Sequence, residues 1–393
     1  MNALYLAFAY LRYHWARSAV LVLVAALIMF VPVATQTLLA TSERALVARG
    51  EATPLLLGSR GSQLDLTMAA LYFSEERPEP VPMREVEAVW DSGLGIPIPV
   101  HTAFSSGGFR IVGTTLDYFD FRSLVLAEGR GLSFLGEAVI GADVAQALGK
   151  GAGETLVSAP ENLFDLDGVY PLEMPIVGVL EPTNTPDDAA IFVDIKTAWV
   201  IQGIGHGHED VVTAADLAAG IAAGTDALAN AAVVQYQRIT PDNIASFHFH
   251  GSQDDFPASA VIVVPNDTRA GTILKGRYLD GDNPTQLVEP ARVIQGLVDR
   301  IFRIKSLLDA VTAIIAIAAL AAIGLAIFLS YRLRAREIAT AVKLGARRGM
   351  VLRLLSAETF TLLLFSALIA ALGATLLARN ADAWVGWMLT LGT

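Results

Sequence analysis

The chain reads as an α-helical membrane domain of three predicted spans, with a large mixed α/β extracytoplasmic domain inserted between the first and second. Three observations predict this class. A hydrophobic fraction of 53%, only 17% charged residues and a mean hydropathy of +0.50 over 393 residues are too apolar for an ordinary soluble protein. Three runs reach the roughly 20 apolar residues that cross a hydrocarbon core. A long polar segment separates the first run from the second in a chain of formal net charge −11, so spans alone do not account for the sequence. There is no cysteine, which excludes disulfides, thiolate metal sites and a cysteine nucleophile, and is compatible with an oxidising compartment. The acidic balance argues against a nucleic-acid partner.

In chain order, residues 1–17, "MNALYLAFAYLRYHWAR", form an amphipathic arm whose Tyr10, Tyr13 and Trp15 suit the headgroup level of a membrane. Residues 18–39, "SAVLVLVAALIMFVPVATQTLL", are the first span. A cleaved signal peptide is the other reading, since "PVATQ" offers small residues to a peptidase. The run is longer than the roughly 7–15 residues of a signal core. The second span lies in residues 305–330 and the third in residues 354–378, followed by an extracytoplasmic tail, 379–393, with Trp384 and Trp387 as interface anchors.

Basic flanks orient the spans. Arg12 and Arg17 precede the first span, and Arg332, Arg334, Arg336, Lys343, Arg347, Arg348 and Arg353 stand against the single acid Glu337 between the second and third. Both flanks should face the cytoplasm. Arg300, Arg303 and Lys305 run against this trend, but the long acidic segment that they end translocates regardless of charge.

Residues 40–304 are then extracytoplasmic and long enough for one or two lobes, one of them around 113–212. "FRIVGTT", "EAVIGADV", "PLEMPIVGVL", "DAAIFVDI" and "ASAVIVVP" are short β-rich runs bounded by turn residues. "DVAQALG", "AADLAAGIAAG" and "PARVIQGLVDRIFRIKSLL" have helical character, and the last runs directly into the second span. A continuous helix there would carry motion between membrane and external domain.

Catalytic signatures are missing. "GKGAGET" is glycine-rich, but Val144 stands where a phosphate-binding loop needs its first glycine and Gly151 follows Lys150, so the stretch reads as a turn. Four of the six histidines form two His-x-His pairs, His206 with His208 and His248 with His250, each beside acids. Residues two apart on a strand point the same way, so each pair presents two imidazoles to one side. Brought together, the pairs make four ligands for zinc; left apart, they are exposed polar loops.

The segment 331–353 connects the second and third spans. At 100° per residue, Arg332, Arg336, Lys343 and Arg347 fall within about 60° of one another, while Ala335, Ile338, Ala339, Val342 and Ala346 share another side. Gly345 and Gly349 are places for the helix to break. Periodicity alone leaves two readings, a basic loop on the membrane surface and a docking helix for a cytoplasmic partner.

The wording of this segment is more specific. "RLRAREIATAVKLGARRGMVLRLLSAETFTLLL" resembles the connector of MacB/FtsX-type ABC transporter permeases, a family that includes lipoprotein-releasing permeases. In that family a basic residue and Glu open the connector, a basic-Leu/Val-Gly-Ala turn closes it, and a Glu begins the next span. Arg336 and Glu337, Lys343 to Ala346, and Glu358 occupy those positions. "VGTTLDYFDFRSLVLAEGRGLSFLGEAVIGADVAQALG" and "PIVGVLEPTNTPDDAAIFVDIKTAW" are similar to the family's periplasmic domain. One departure is that members normally have a fourth span, and this chain stops at "GWMLTLGT".

The resemblance implies a multi-pass subunit of the bacterial cytoplasmic membrane. It would bind no cofactor itself and would act as a homodimer with a separate cytoplasmic ATPase that holds the ATP. Arg336, Glu337, Lys343, Leu344, Gly345 and Arg347 would contact that ATPase. A periplasmic adaptor or binding protein and membrane lipid are the further partners expected. ATP-driven closure would press on the connector and move the periplasmic domain, driving export or extraction of a substrate. Two alternatives stand beside this one: FtsX-like signalling to a periplasmic hydrolase, and a membrane-anchored zinc-binding or zinc-delivery component resting on the histidine pairs.

Overall fold

The structure is a computed structural model that describes residues 3–159, 171–206, 237–333, 335–343 and 348–381. The chain divides into two compact units, residues 1–44 with 297–393, and residues 45–296.

The first unit is helical. Helix α1 (Ala3–Tyr13) is followed by α2 (Trp15–Glu51), 37 residues long. Helix α2 thus runs well past the expected end of the span at residue 39. Its interior Pro32 removes one backbone donor, and the Thr35 and Thr37 hydroxyls donate to the carbonyls of Val31 and Val33 at 2.9 and 2.8 Å. Large apolar side chains along the helix, including Val20, Leu23 and Leu27, are exposed. Exposed apolar side chains of this kind suit a helix that faces lipid better than one in a protein core.

The second unit is built on a sheet. Its strands in chain order are β1 (Leu55–Ser59), β2 (Val81–Pro82), β3 (Gly95–Ser106), β4 (Phe109–Thr114), β5 (Leu126–Gly129), β6 (Ala138–Ile140), β7 (Thr155–Val157) and β8 (Leu172–Leu180). They continue with β9 (Ala190–Asp194), β10 (Gly205–His206), β11 (Gln237–Arg238), β12 (His248–Phe249), β13 (Pro257–Ala258), β14 (Ala260–Pro265) and β15 (Thr285–Val288). All five β-rich runs read from the sequence contain strands. The main sheet has the order β11-β8-β6-β9-β4-β3-β14-β1-β15, with β5 and β7 both paired to β8. It is mixed: β4 runs parallel to β9 and β6 parallel to β8, while β1, β3, β14 and β15 are antiparallel neighbours.

Helices α3 (Gln63–Leu71), α4 (Arg84–Asp91), α5 (Asp117–Arg122), α6 (Ala142–Leu148), α7 (Ile195–Ile201) and α8 (Thr268–Arg277) complete the unit. Their starts follow local rules: Ser62, Asp194 and Asp267 accept from the backbone N–H groups of Asp65, Lys196 and Ala270.

Both faces of the central strands are covered, which explains their unbroken apolar runs. Leu56 enters one core with Tyr118, Phe192 and Ile262, whereas Leu55 and Leu57 enter another with Trp199, Phe256, Val261 and Val263. A third core takes Ile111, Ile191 and Val193 on the opposite side from Val112 and Phe192. Close approach fixes Gly113, because a Cβ there would stand 2.6 Å from Ala198 Cβ of α7.

The end of this unit returns to its beginning. Strand β15 is paired with β1, and a Cβ on Gly50 would lie 3.2 Å from Ile294 Cγ1. Ile294 belongs to α9 (Pro290–Leu333), a single helix of 44 residues. The continuity expected from "PARVIQGLVDRIFRIKSLL" onward is therefore present. Helices α10 (Ala335–Lys343) and α11 (Arg348–Arg379) follow.

Within the first unit α11 packs on α1 and on α2. Ser366 Oγ donates to Val22 O at 3.1 Å, and a Cβ on Gly373 would come within 3.1 Å of the Phe30 ring. Ala25, Ala26 and Ala370 are buried as well. Small residues at the contact are how helices pack closely without a hydrophobic drive between them. Among the described residues, α2 and the stretch Ser356–Arg379 of α11 are long and apolar enough to cross a membrane; the apolar part of α9, Asp309–Ala322, is shorter.

Candidate functional site

Three groups of residues carry the chemistry of this chain. The connector is the first. Arg336 and Lys343 lie on α10 seven residues apart, close to two full turns, and both are exposed. Thr340 Oγ1 donates to Arg336 O at 2.9 Å. Lys343 stands in the last turn, where a cation meets the negative end of the helix dipole. At the start of the connector, the Arg332 guanidinium sits 5.5 Å from the Phe328 ring centroid. Glu337 is on the same short helix. Leu344, Gly345 and Arg347 lie outside the described residues. Gly349, expected as a break, is instead in the first turn of α11, where the i→i+4 ladder tolerates glycine at modest cost.

The second group is the histidines. Strands β10 and β12 pair antiparallel, with Gly205 opposite Phe249 and His206 opposite His248. The ribbon is extended by the His250 N–H, which donates to Ile204 O at 3.0 Å. Alternation sorts its faces. Phe247 and Phe249 pack against the core that holds Ile201 and Ile239, and the Phe249 ring lies 6.3 Å from that of Trp199. His248 is half-buried and His250 exposed, with ring centroids 4.7 Å apart. The His248 Nδ1 contacts Ser246 O at 3.2 Å. His208 lies outside the described residues, as do "AADLAAGIAAG" and Trp384 and Trp387 of the tail.

The third group was not foreseen. Arg49, near the end of α2, is 7% exposed and reaches into the unit. Its Nη1 and Nη2 donate to Asp187 Oδ2 and Oδ1 at 2.6 and 2.8 Å, its Nη2 also donates to Tyr118 Oη at 3.0 Å, and its Nε donates to Leu71 O at 3.2 Å. Tyr118 Oη donates to Asp187 Oδ1 at 2.7 Å. Burial pushes the Asp187 carboxyl up, but the Arg49 guanidinium and the Tyr118 hydroxyl hold it below the usual carboxylate range. Burial pushes the Tyr118 phenol up. Beside them Arg122 Nη2 donates to Thr53 Oγ1 at 2.8 Å.

Asp187 is presented by the 3₁₀ turn Pro186–Ala189 in "TNTPDD". The adjacent buried Asp188 is satisfied locally, accepting from the N–H groups of Thr183 and Asn184 at 2.9 and 2.7 Å. The cluster ties α2, the end of α3, α5 and this turn to one guanidinium. The glycine-rich stretch after α6 is a turn, as its sequence suggests: Gly149 closes the helix with φ 63°, and the Gly151 N–H donates to Glu154 Oε2 at 2.7 Å.

A family model described as the MacB-like periplasmic core domain matches residues 19–234. Among solved structures, the chain is similar to the periplasmic region of MacB from Actinobacillus actinomycetemcomitans, at 11% identity over 63% of this chain and 94% of that one, with a TM-score of 0.36. It is also similar to the extracellular domain of the noncanonic ABC-type transporter YknZ from Gram-positive bacteria, at 10% identity over 60% and 98% of the two chains, with a TM-score of 0.30. No curated protein matches. The family match takes in more than half of the chain, including most of α2, the strands up to β10 and the Arg49 cluster; the chain belongs to the MacB/FtsX-type family of ABC transporter permeases, membrane proteins with an extracytoplasmic domain.

Proposed function

We propose that this chain is the permease subunit that couples ATP hydrolysis on a separate cytoplasmic ATPase to a conformational change of its extracytoplasmic domain, driving export or extraction of a substrate. In this reading α2, the apolar part of α9 and α11 are the three spans, the sheet unit lies outside the cytoplasm, and two copies of the chain act together. The basic helix α10 faces the cytoplasm by the positive-inside rule and meets the ATPase through Arg336, Glu337, Lys343, Leu344, Gly345 and Arg347.

The observation that supports this reading is the continuity of α9. The helix begins two residues after β15, the edge strand paired to β1, and runs without interruption for 44 residues to Leu333, immediately before the basic segment. A displacement applied to α10 is therefore passed to a helix whose other end is part of the sheet unit. Work done on one side of the membrane then biases the arrangement on the other.

The test is a pull-down of tagged full-length chain from membranes, for the parent and for Arg336→Glu/Lys343→Glu. An ABC ATPase should co-purify with the parent and be depleted at least tenfold from the double variant. Equal recovery from both would remove α10 as the docking element.

A further inference from the structure

We infer, on the reading of α2 as a span, that α1 and the first turn of α2 form a docking surface for anionic phospholipid. Tyr5, Phe8, Tyr13 and Trp15 sit among the lipids, and Arg12 and Arg17 hold their phosphates. Within the first unit α1 packs on α11, and burial sorts the sides of the helix. Leu11 is buried, and Leu6 and Tyr10 are half-buried. At 100° per residue Tyr5, Phe8 and Arg12 fall within about 60° of one another, away from Tyr10, and all three are exposed. One side of α1 is thus taken by the fold, and the other is open.

What covers the open side follows from its neighbours. Tyr5 is 69% exposed, Phe8 52%, Tyr13 80% and Trp15 72%. The His14 N–H donates to Tyr10 O at 3.0 Å and the Ser18 N–H to His14 O at 3.1 Å, so helical hydrogen bonding carries across the junction of α1 and α2. The apolar surface passes with it, onto the exposed Val20, Leu23, Val24 and Leu27 of α2. An aromatic surface that leads directly into an apolar helix long enough to span a bilayer meets the same lipid. Aromatic rings favour the layer where acyl chains give way to headgroups.

Charge selects the lipid. The first acid of the chain is Glu43, so Arg12 and Arg17 have no carboxylate near them in sequence. Both are exposed, and among the described residues neither makes an ion pair. An arginine fork matches a phosphate bidentately, and its apolar stem lies along lipid while its head reaches the headgroups. The His14 ring rests against those of Tyr10 and Tyr13, with centroids 4.6 and 4.9 Å away, which leaves the two arginines to meet the anion. A second copy docking symmetrically through this face would set cation against cation, since residues 1–42 hold no acid.

The experiment places the full chain in phosphatidylcholine nanodiscs doped with brominated phosphatidylglycerol or brominated phosphatidylcholine. Quenching of Trp15 is read as the difference between the parent and Trp15→Phe. Brominated phosphatidylglycerol should reach half-quenching at a mole fraction about fivefold lower, the preference expected from one basic residue at an anionic surface, or lower still if both arginines act. Arg12→Gln/Arg17→Gln should bring the two curves together at unchanged Tm, whereas Arg44→Gln, toward the other end of α2, should leave them apart. Overlapping curves in the parent would overturn the proposal while leaving α2 in the bilayer. So would a preference that survives Arg12→Gln/Arg17→Gln. Quenching by neither lipid would overturn it too, and Tyr13→Cys, in a chain without native cysteine, would then separate the causes: disulfide dimers mark a second copy on this face, and monomers mark a helix outside the bilayer.

Discussion

Arg49 and Arg336 carry the same guanidinium on helices of one chain, in opposite surroundings. Arg49 is 7% exposed and gives Nε, Nη1 and Nη2 to Asp187, Tyr118 and Leu71 O. Arg336 is exposed on a nine-residue helix. Removing a charge from water costs several kcal/mol unless paired and hydrogen-bonded, so the first arrangement makes sense as structure, with each donor answered from within the fold. An exposed cation adds little to folding, and its value lies in what approaches it. The pair separates the charge that holds this permease together from the charge that, in the proposed reading, it offers to a partner.

The sharpest way to break that distinction is to remove Arg49. Arg49→Met leaves the Asp187 carboxylate and the Tyr118 hydroxyl buried without their cation, and a broken buried pair costs about 3–5 kcal/mol. For a unit of this size the Tm should fall by on the order of 10 °C, read by thermal unfolding of the purified chain. Arg49→Met/Asp187→Leu removes both charges and should recover part of the loss. If Arg49→Met instead behaved like a surface substitution, burial and hydrogen bonding would not be what distinguishes the two arginines.

His101 sharpens the comparison, because its charge is suppressed where that of Arg49 is kept. It lies on β3, 2% exposed, with Ser259 Oγ 3.3 Å from Nδ1 and the Phe104 ring 5.7 Å away. Burial, only partly opposed by Gln202, pushes its pKa down to about 4 from the usual 6.5. The folded chain therefore favours the neutral ring. Its contribution is complete above pH 6.5 and is lost as pH falls toward 4, because over that window the unfolded chain binds the additional proton. The full difference is about 3 kcal/mol. Stability measured between pH 7 and pH 4 should fall less steeply in His101→Asn than in the parent; parallel profiles would mean that the ring is not neutral in the fold.

Sequence made the apolar layers legible and left the buried charges dark. The run at Ala260–Val264 announces a strand, and the 44 residues of α9 follow from helical spacing that passes into an apolar run. Arg49 is 138 residues from Asp187. No local pattern links "VARG" to "TPDD", because their pairing depends on how the sheet orders β4 and β9 beside the end of α2. The two His-x-His pairs were visible as candidates, but the His206–His248 register required the topology. Helix α2 overran its expected end because "TSERALVARGE" continues a helical pattern that is polar and no longer fit for lipid. The connector's resemblance to the family lies beyond residues 19–234, which the family model matches.

The smallest expected effect on stability is the most informative about function. Charge reversal at Arg336 and Lys343 touches exposed positions on α10 and should change unfolding stability by no more than about 0.5 kcal/mol. A cation that serves a partner has its consequence in association instead. Opposite charges across a rim-exposed contact govern encounter and are screened within about 10 Å at 0.1 M salt. Stimulation of the partner ATPase by the parent chain should therefore decline as ionic strength rises, while Arg336→Glu/Lys343→Glu should stimulate weakly at every salt concentration and unfold at the parental temperature. Arg336→Lys, which keeps the charge but not the planar fork, should fall between them. A double variant that loses stability in step with stimulation would make α10 a structural element, and the contrast with Arg49 would collapse. Unchanged stability with lost stimulation is what separates a charge held for a partner from one held for the fold.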